Sequence, residues 1–142
     1  MLDPCSRSIP DILHPMNYDQ AAMELASRVR RRFPEEASRT DLWLEERGSA
    51  DLPQSGYLWI EAFAGRVTDA VRDRRSANVI ELTGFFAVEY REGSAAVQHI
   101  IDVAFAENIL FGIDADARRW AWPHIATAIR QLYAGIWGVP RP

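Results

Sequence analysis

Three apolar stripes at helical spacing follow one another between Ile60 and Phe111, the second and third each closed by a glycine. This succession constrains the fold more than any other feature. Ile60, Phe63, Ala64, Val67 and Val71 form the first stripe, with Glu61, Thr68, Asp69, Arg72 and Asp73 largely turned away from it. Val79, Leu82, Thr83, Phe86 and Tyr90 form the second, with Ser76 as the predicted N-cap. Gly93 ends that helix and Ser94 caps the next at once, which predicts an antiparallel αα-hairpin around residues 76–111. The third stripe is Val97, Ile100, Ile101, Ala104, Asn108 and Phe111, and Gly112 ends it.

The flanks read the same way. Residues 1–16 contain three prolines and no sustained period, which predicts an arm on the surface or partly disordered. Asn17 then reads as an N-cap with Gln20 as its capping-box partner. Tyr18, Ala22, Leu25, Val29 and Phe33 follow at helical spacing until Pro34 stops the run. Pro34 to Arg47 reads as a shorter helix closed by Gly48, and Gly48 to Ser55 as a polar connection. A last helix is predicted from near Pro123, with Ile125, Ala128, Ile129, Leu132 and Ile136 as its stripe. No segment alternates with period two, so strands are not expected. The expectation is all-α: about five to six helices in an antiparallel array, with residues 17–142 as one helical domain.

The segment from Ala95 to Phe111 stands apart because Val103, Ile109 and Leu110 extend its apolar surface to the back. Only a narrow polar strip around Gln98, His99 and Asp102 remains. A helix apolar on most sides is buried on most sides. It is predicted to be the central helix; the alternative is that a partner covers it.

Composition excludes several functions. All 16 cationic side chains are Arg, so no lysine is present for a Schiff base or a phosphate-binding loop. The net charge is -4 and is spread evenly along the chain, whereas a generic nucleic-acid binder carries a positive excess. The single Cys5 cannot form an internal disulfide, which fits a reducing compartment. The first residues lack the basic and apolar regions of a secretory signal, and no apolar run is long enough to span a bilayer. A cytoplasmic protein without membrane or nucleic-acid partners is therefore expected.

Catalytic motifs are scarce. His14, His99 and His124 lie in three distant segments, and there is no GxSxG, HExxH or glycine-rich phosphate loop. His99 and Asp102 stand three residues apart and could act as a base with its orienter, with Glu107 as a third member, but a local hydrogen bond on the polar strip of a helix is the preferred explanation. Glu61, Glu81, Asp102 and Glu107 lack the Glu-x-x-His pairs of a di-iron bundle and read as solvated helix faces. Arg28, Arg30, Arg31 and Arg32 form the one basic cluster, which reads as the wet face of the first helix, partly neutralised by Glu35 and Glu36. No cofactor and no metal are expected.

Some residues fit a purely structural role less well. Asn108 falls inside the third stripe, where an amide must be hydrogen-bonded. Glu107 lies late in the same helix, where the dipole disfavours a carboxylate. The pair either ties down the Gly112–Asp116 loop or edges a binding groove. Trp59, Trp120 and Trp137 are assigned to the flanks of the core. Trp43, beside Glu45 and Glu46, is the better exposed anchor, since Trp is a frequent hot-spot residue.

Three short runs carry a resemblance. They are Gly56-Tyr57-Leu58-Trp59-Ile60-Glu61, then Phe85-Phe86 before a Gly-Ser turn, then Phe105-Ala106-Glu107-Asn108-Ile109-Leu110. From about Pro53 to Trp137 their order resembles a family of small all-helical bacterial proteins of unknown function. Its members are similar to immunity proteins encoded beside polymorphic or contact-dependent toxins. The resemblance implies a binding protein without catalysis that neutralises a cognate protein toxin by covering its active site. A mildly acidic surface suits a basic partner. Two alternatives remain: a self-assembling helical module, in which a homodimer buries the doubly apolar helix, and a small enzyme using His99, Asp102 and Glu107.

Overall fold

A computed structural model describes residues 15–48 and 55–140, and every regular element in them is helical. The order is α1 (Pro15–Arg32), α2 (Pro34–Glu46), α3 (Gly56–Arg72), α4 (Ser76–Glu92), α5 (Ala95–Ile100), α6 (Ala115–Ala121) and α7 (Thr127–Trp137). The expected all-α architecture is present, with seven helices rather than five or six. The extra helix comes from the C-terminal region. Asp114 Oδ1 accepts a hydrogen bond from the Ala117 amide at 2.9 Å and starts α6, while Pro123 lies in a single 3-10 turn, Trp122–His124. α7 begins only at Thr127, where the Ala126 amide donates to Thr83 Oγ1 of α4 at 3.0 Å.

At the other end, α1 starts at Pro15, so Asn17 lies inside the helix and is not its cap. The predicted arm otherwise lies outside the described residues, as does Cys5. Ser76 is likewise the first helical residue, with Arg75 in the cap position. Among the described residues no helix is long and apolar enough to cross a membrane.

α3 is the central helix. It packs against α1, α2, α4, α6 and the segment after α5. Trp59, Ile60, Phe63, Ala64, Val67, Ala70 and Val71 are all essentially inaccessible, as their period predicts. Its first residue explains how close α1 comes. A Cβ on Gly56 would lie 2.4 Å from the Met23 amide nitrogen and 2.5 Å from the Ala22 carbonyl carbon. Only glycine permits that approach of backbone to backbone.

The hairpin between α4 and α5 forms as predicted. Ser94 Oγ accepts from the Val97 amide at 3.2 Å, and Gln98 Nε2 donates to the Tyr90 carbonyl at 2.9 Å, closing the end of α4. The segment from Ala95 to Phe111 is buried by this chain itself, between α1, α3, α4 and α7, although it is not the central helix. Phe105 stacks on Phe86 with ring centroids 3.7 Å apart.

That segment is not one continuous α-helix. A π turn occupies Ile101–Phe105 and a 3-10 turn Ala106–Asn108. A π turn inserts the equivalent of one residue, and one residue rotates everything after it by about 100°. Ile109 and Leu110, expected on the back, therefore enter the core. Phe111, expected in the stripe, is 77% exposed. Two further core assignments fail at the C-terminus: Tyr133 is buried, while Ile136 and Trp137 are exposed.

Candidate functional site

The rotation of Phe111 outward places it on the wall of a surface recess. A groove of about 490 Å³ runs along the outer face of α3, between the C-terminal half of α2 and the turn that follows the 3-10 segment. Leu58, Glu61, Ala62, Gly65, Arg66 and Asp69 form its floor at successive helical steps. Trp43, Leu44 and Arg47 line it from α2, and Asn108 and Phe111 from the opposite side. A Cβ on Gly65 would meet nothing within 4 Å, so the missing side chain keeps the middle of the floor open.

The sequence holds α2 in place as one wall. Pro34 begins it without the amide that an α1 continuation would need, and Glu35 and Glu36 sit in its first turn, where the helix dipole favours them. Ala37, Thr40 and Leu44 are its buried residues. A polar clamp joins α1, α2 and α3: Arg30 donates from both terminal nitrogens to Asp41 at 2.8 Å, and Trp59 Nε1 donates to the same carboxylate at 2.8 Å. Arg30 also lies 4.5 Å from the Trp59 ring centroid. The Arg30 guanidinium, helped by the indole donor, lowers the Asp41 pKa despite partial burial.

This clamp also corrects the reading of the basic run. Its counter-charges are Glu89 for Arg28, Asp41 for Arg30 and Glu81 for Arg32, all brought in by tertiary structure, rather than Glu35 and Glu36. The Arg28 pair is bidentate, with Nη2 donating to Glu89 Oε1 at 2.8 Å and Nε to Oε2 at 3.1 Å.

The groove is electrically divided. At one end Glu61 and Glu107 repel each other near Tyr57, and neither carboxylate has an ion-pair partner among the described residues. Desolvation, with Glu107 adding to it, raises the Glu61 pKa. Burial and the same two acids raise that of Tyr57. At the other end lies Arg66, only 8% exposed and paired through Nη1 with Asp69 Oδ2 at 3.3 Å. Its Nε is buried without a hydrogen-bond partner among the described residues. Desolvation lowers the Arg66 pKa; Asp69 opposes that, and Arg39 and Arg47 reinforce it. Arg47 lies 3.8 Å from the Trp43 ring centroid.

The residues singled out in the sequence are distributed unevenly about this groove. Trp43 and Asn108 both line it, and Glu107 is close enough to perturb Glu61. Glu45 and Glu46 are exposed on the last turn of α2 and do not line the groove. Asn108 does not tie down the Gly112–Asp116 loop: its Nδ2 donates to the Ala104 carbonyl, at 2.9 Å, in the π turn. The link from that region goes instead to α7, where Trp137 Nε1 donates to the Glu107 carbonyl at 3.0 Å. His99 is exposed, with its ring 5.3 Å from that of Tyr18. Among the described residues no group of three or more His, Cys, Asp or Glu side chains is placed to hold a metal ion.

Sequence reasoning missed Gly65, Arg66 and Phe111 as site residues. Arg66 carried a usable signal, since it sits three residues after Phe63 and four before Ala70, on the flank of the buried arc. Phe111 carried none, because its exposure depends on the π turn.

Fold and groove together define an all-helical domain with a walled, two-signed recess on its surface. Residues 26–138 match the model of a family described as a domain of unknown function, DUF7674, and the chain belongs to that family. No curated protein and no solved structure matches the chain.

Proposed function

We propose that this protein is a non-catalytic binding module whose groove receives a segment of a partner protein. One observation carries the reading: Trp43 and the 77% exposed Phe111 line the same recess, over a floor left open at Gly65. Aromatic side chains at a concave site supply a large contact area at low entropic cost, and such residues dominate binding energy at interfaces. The two-signed lining suits a polypeptide segment, which can carry both charges, better than a polyanion, which Glu61 and Glu107 would repel.

For the identity of the partner, the resemblance to bacterial immunity proteins supplies the reading. The partner is a cognate toxin met in the cytoplasm, and binding neutralises it by covering its active site. The test is a tagged pull-down from the native cell followed by co-expression. A stoichiometric partner that is toxic alone and harmless beside this protein is the expected result. Phe111→Ala and Trp43→Ala should each weaken the complex by about 30-fold, as hot-spot truncations do. A partner that binds both variants as tightly as wild type would refute the groove.

A second reading has its own observation. Ile136, Trp137 and Val139 leave an exposed apolar surface at the C-terminus, which a second copy of the chain would cover. Sedimentation showing a dimer broken by Trp137→Ala would favour this self-assembling module.

A further inference from the structure

We propose that the basic end of the groove, centred on Arg66, is a carboxylate-binding subsite that takes an acidic side chain of the partner segment. The inference rests on the groove being a segment-binding site. Its independent support is Arg66 itself, a cation more than nine-tenths buried, lining the groove, with an Nε that finds no acceptor among the described residues. Buried donors are almost always satisfied, so one left over at a ligand-sized recess points to an acceptor from outside.

The neighbouring charges agree. Arg47 and Arg72 line the same groove, and Arg39 and Arg72 line the adjoining recess. Asp69 is the one acid paired with Arg66, and neither Arg39 nor Arg72 has an ion-pair partner among the described residues. Positive charge is thus in excess here in a protein whose net charge is -4. Asp69 takes Nη1 of Arg66 and leaves Nε without an acceptor among the described residues. A carboxylate is the group that fills a guanidinium fork in bidentate fashion, as Glu89 does for Arg28 in this same molecule.

The far end sets what accompanies that carboxylate. Glu61 and Arg66 both line the groove, so the matching segment carries a basic residue for Glu61 as well as an acidic one for Arg66. A phosphate-rich ligand fits less well, because its charge would lie along the Glu61 end too.

The test uses the full chain and two capped pentapeptides, acetyl-Leu-Glu-Ala-Arg-Leu-amide and its Gln-for-Glu twin, with inorganic phosphate as a third probe. Binding is read by NMR from the Arg66 Nε–H resonance and the Gly65 amide. The expected result is that the Glu peptide moves both signals and binds about tenfold more tightly than its twin, the size of one charge-assisted hydrogen bond. Arg66→Met should stay folded, since it replaces a buried cation by an apolar chain of similar length, and should erase the tenfold preference. Gly65→Met should block both peptides.

Equal binding of the two peptides would overturn the carboxylate subsite and leave the groove reading intact. Phosphate moving the Arg66 signal at lower concentration than the Glu peptide would make this a phosphate site and also overturn it. No movement with any probe would do the same, while the partner measurements decide the groove reading separately.

Discussion

Replacing Gly65 and Gly56 by alanine, one at a time, should shift stability in opposite directions within the same helix. At Gly65 the new methyl meets nothing within 4 Å. The substitution then reduces to the propensity difference between glycine and alanine inside a helix, a gain of about 1 kcal/mol. At Gly56 the same methyl would sit 2.4 Å and 2.5 Å from backbone atoms of α1 and 2.9 Å from the Ala22 side chain. Backbone cannot swing aside as a flexible side chain does, so α1 and α3 must separate, and overpacking of this kind costs about 1–3 kcal/mol. For a chain of this length 1 kcal/mol moves the melting temperature by roughly 3 °C. Gly65→Ala should therefore melt about 3 °C above wild type and Gly56→Ala about 3–9 °C below it. Thermal unfolding followed by far-ultraviolet circular dichroism reads both. A Gly65→Ala protein that melts below wild type would show that the floor of the groove is not open. A neutral Gly56→Ala would show that α1 does not lie against α3 in backbone contact.

Three further outcomes follow from the same geometry. The folded-state pKa of Asp41 is lowered, so the clamp stabilises the protein above the unfolded carboxyl pKa of about 3.9 and is lost as pH falls through the lower folded value. Asp41→Asn should accordingly melt below wild type at neutral pH, and urea titrations should show the gap closing in acid; a gap that widens in acid would refute the assignment. Glu61 has the opposite sign. Its raised folded pKa means that ionisation costs stability above that value, a cost relieved as pH falls toward the unfolded value of about 4.3. Glu61→Gln should raise the melting temperature at neutral pH, with the gain gone in acid, and a loss at neutral pH would mean that Glu61 has a cationic partner. Asn108→Ala removes the bond to the Ala104 carbonyl and should cost about 1 kcal/mol by urea denaturation. No change in midpoint would indicate that water serves the π turn equally well.

Local sequence chemistry made most of the helices legible. The stripe of Ile60, Phe63, Ala64, Val67 and Val71 is buried in full, and Ser94 caps α5 as its position after Gly93 implies. Gly112 adopts a φ of +73°, the left-handed conformation that a helix-ending glycine supplies without strain. The failures have one physical origin, which is that local pattern carries no record of tertiary context. The run Ile101 to Phe105 has the composition of an ordinary helix, so nothing in it announces a π turn, and the phase of everything after it was misjudged. Pro123 is a good first-turn residue, yet the helix expected from it starts four residues later, where Thr83 of α4 meets the Ala126 amide. The site was legible in fragments. Trp43 and Asn108 stood out singly, one as an exposed aromatic and one as a misplaced amide, but 65 residues separate them in the chain. Only the packing of α2 and the post-π turn on either side of α3 makes them neighbours of one groove.

A partner segment held in that groove, as proposed, would lie over the floor at Gly65. Titration calorimetry of the captured partner against wild type and Gly65→Met tests this placement most directly, because methionine in place of Gly65 fills the floor while leaving the core of the fold untouched. The Gly65→Met protein should melt at or above the wild-type temperature yet lose about 30-fold or more in affinity. A folded Gly65→Met protein that binds the partner as tightly as wild type would contradict the proposed placement and move the interface elsewhere on the molecule.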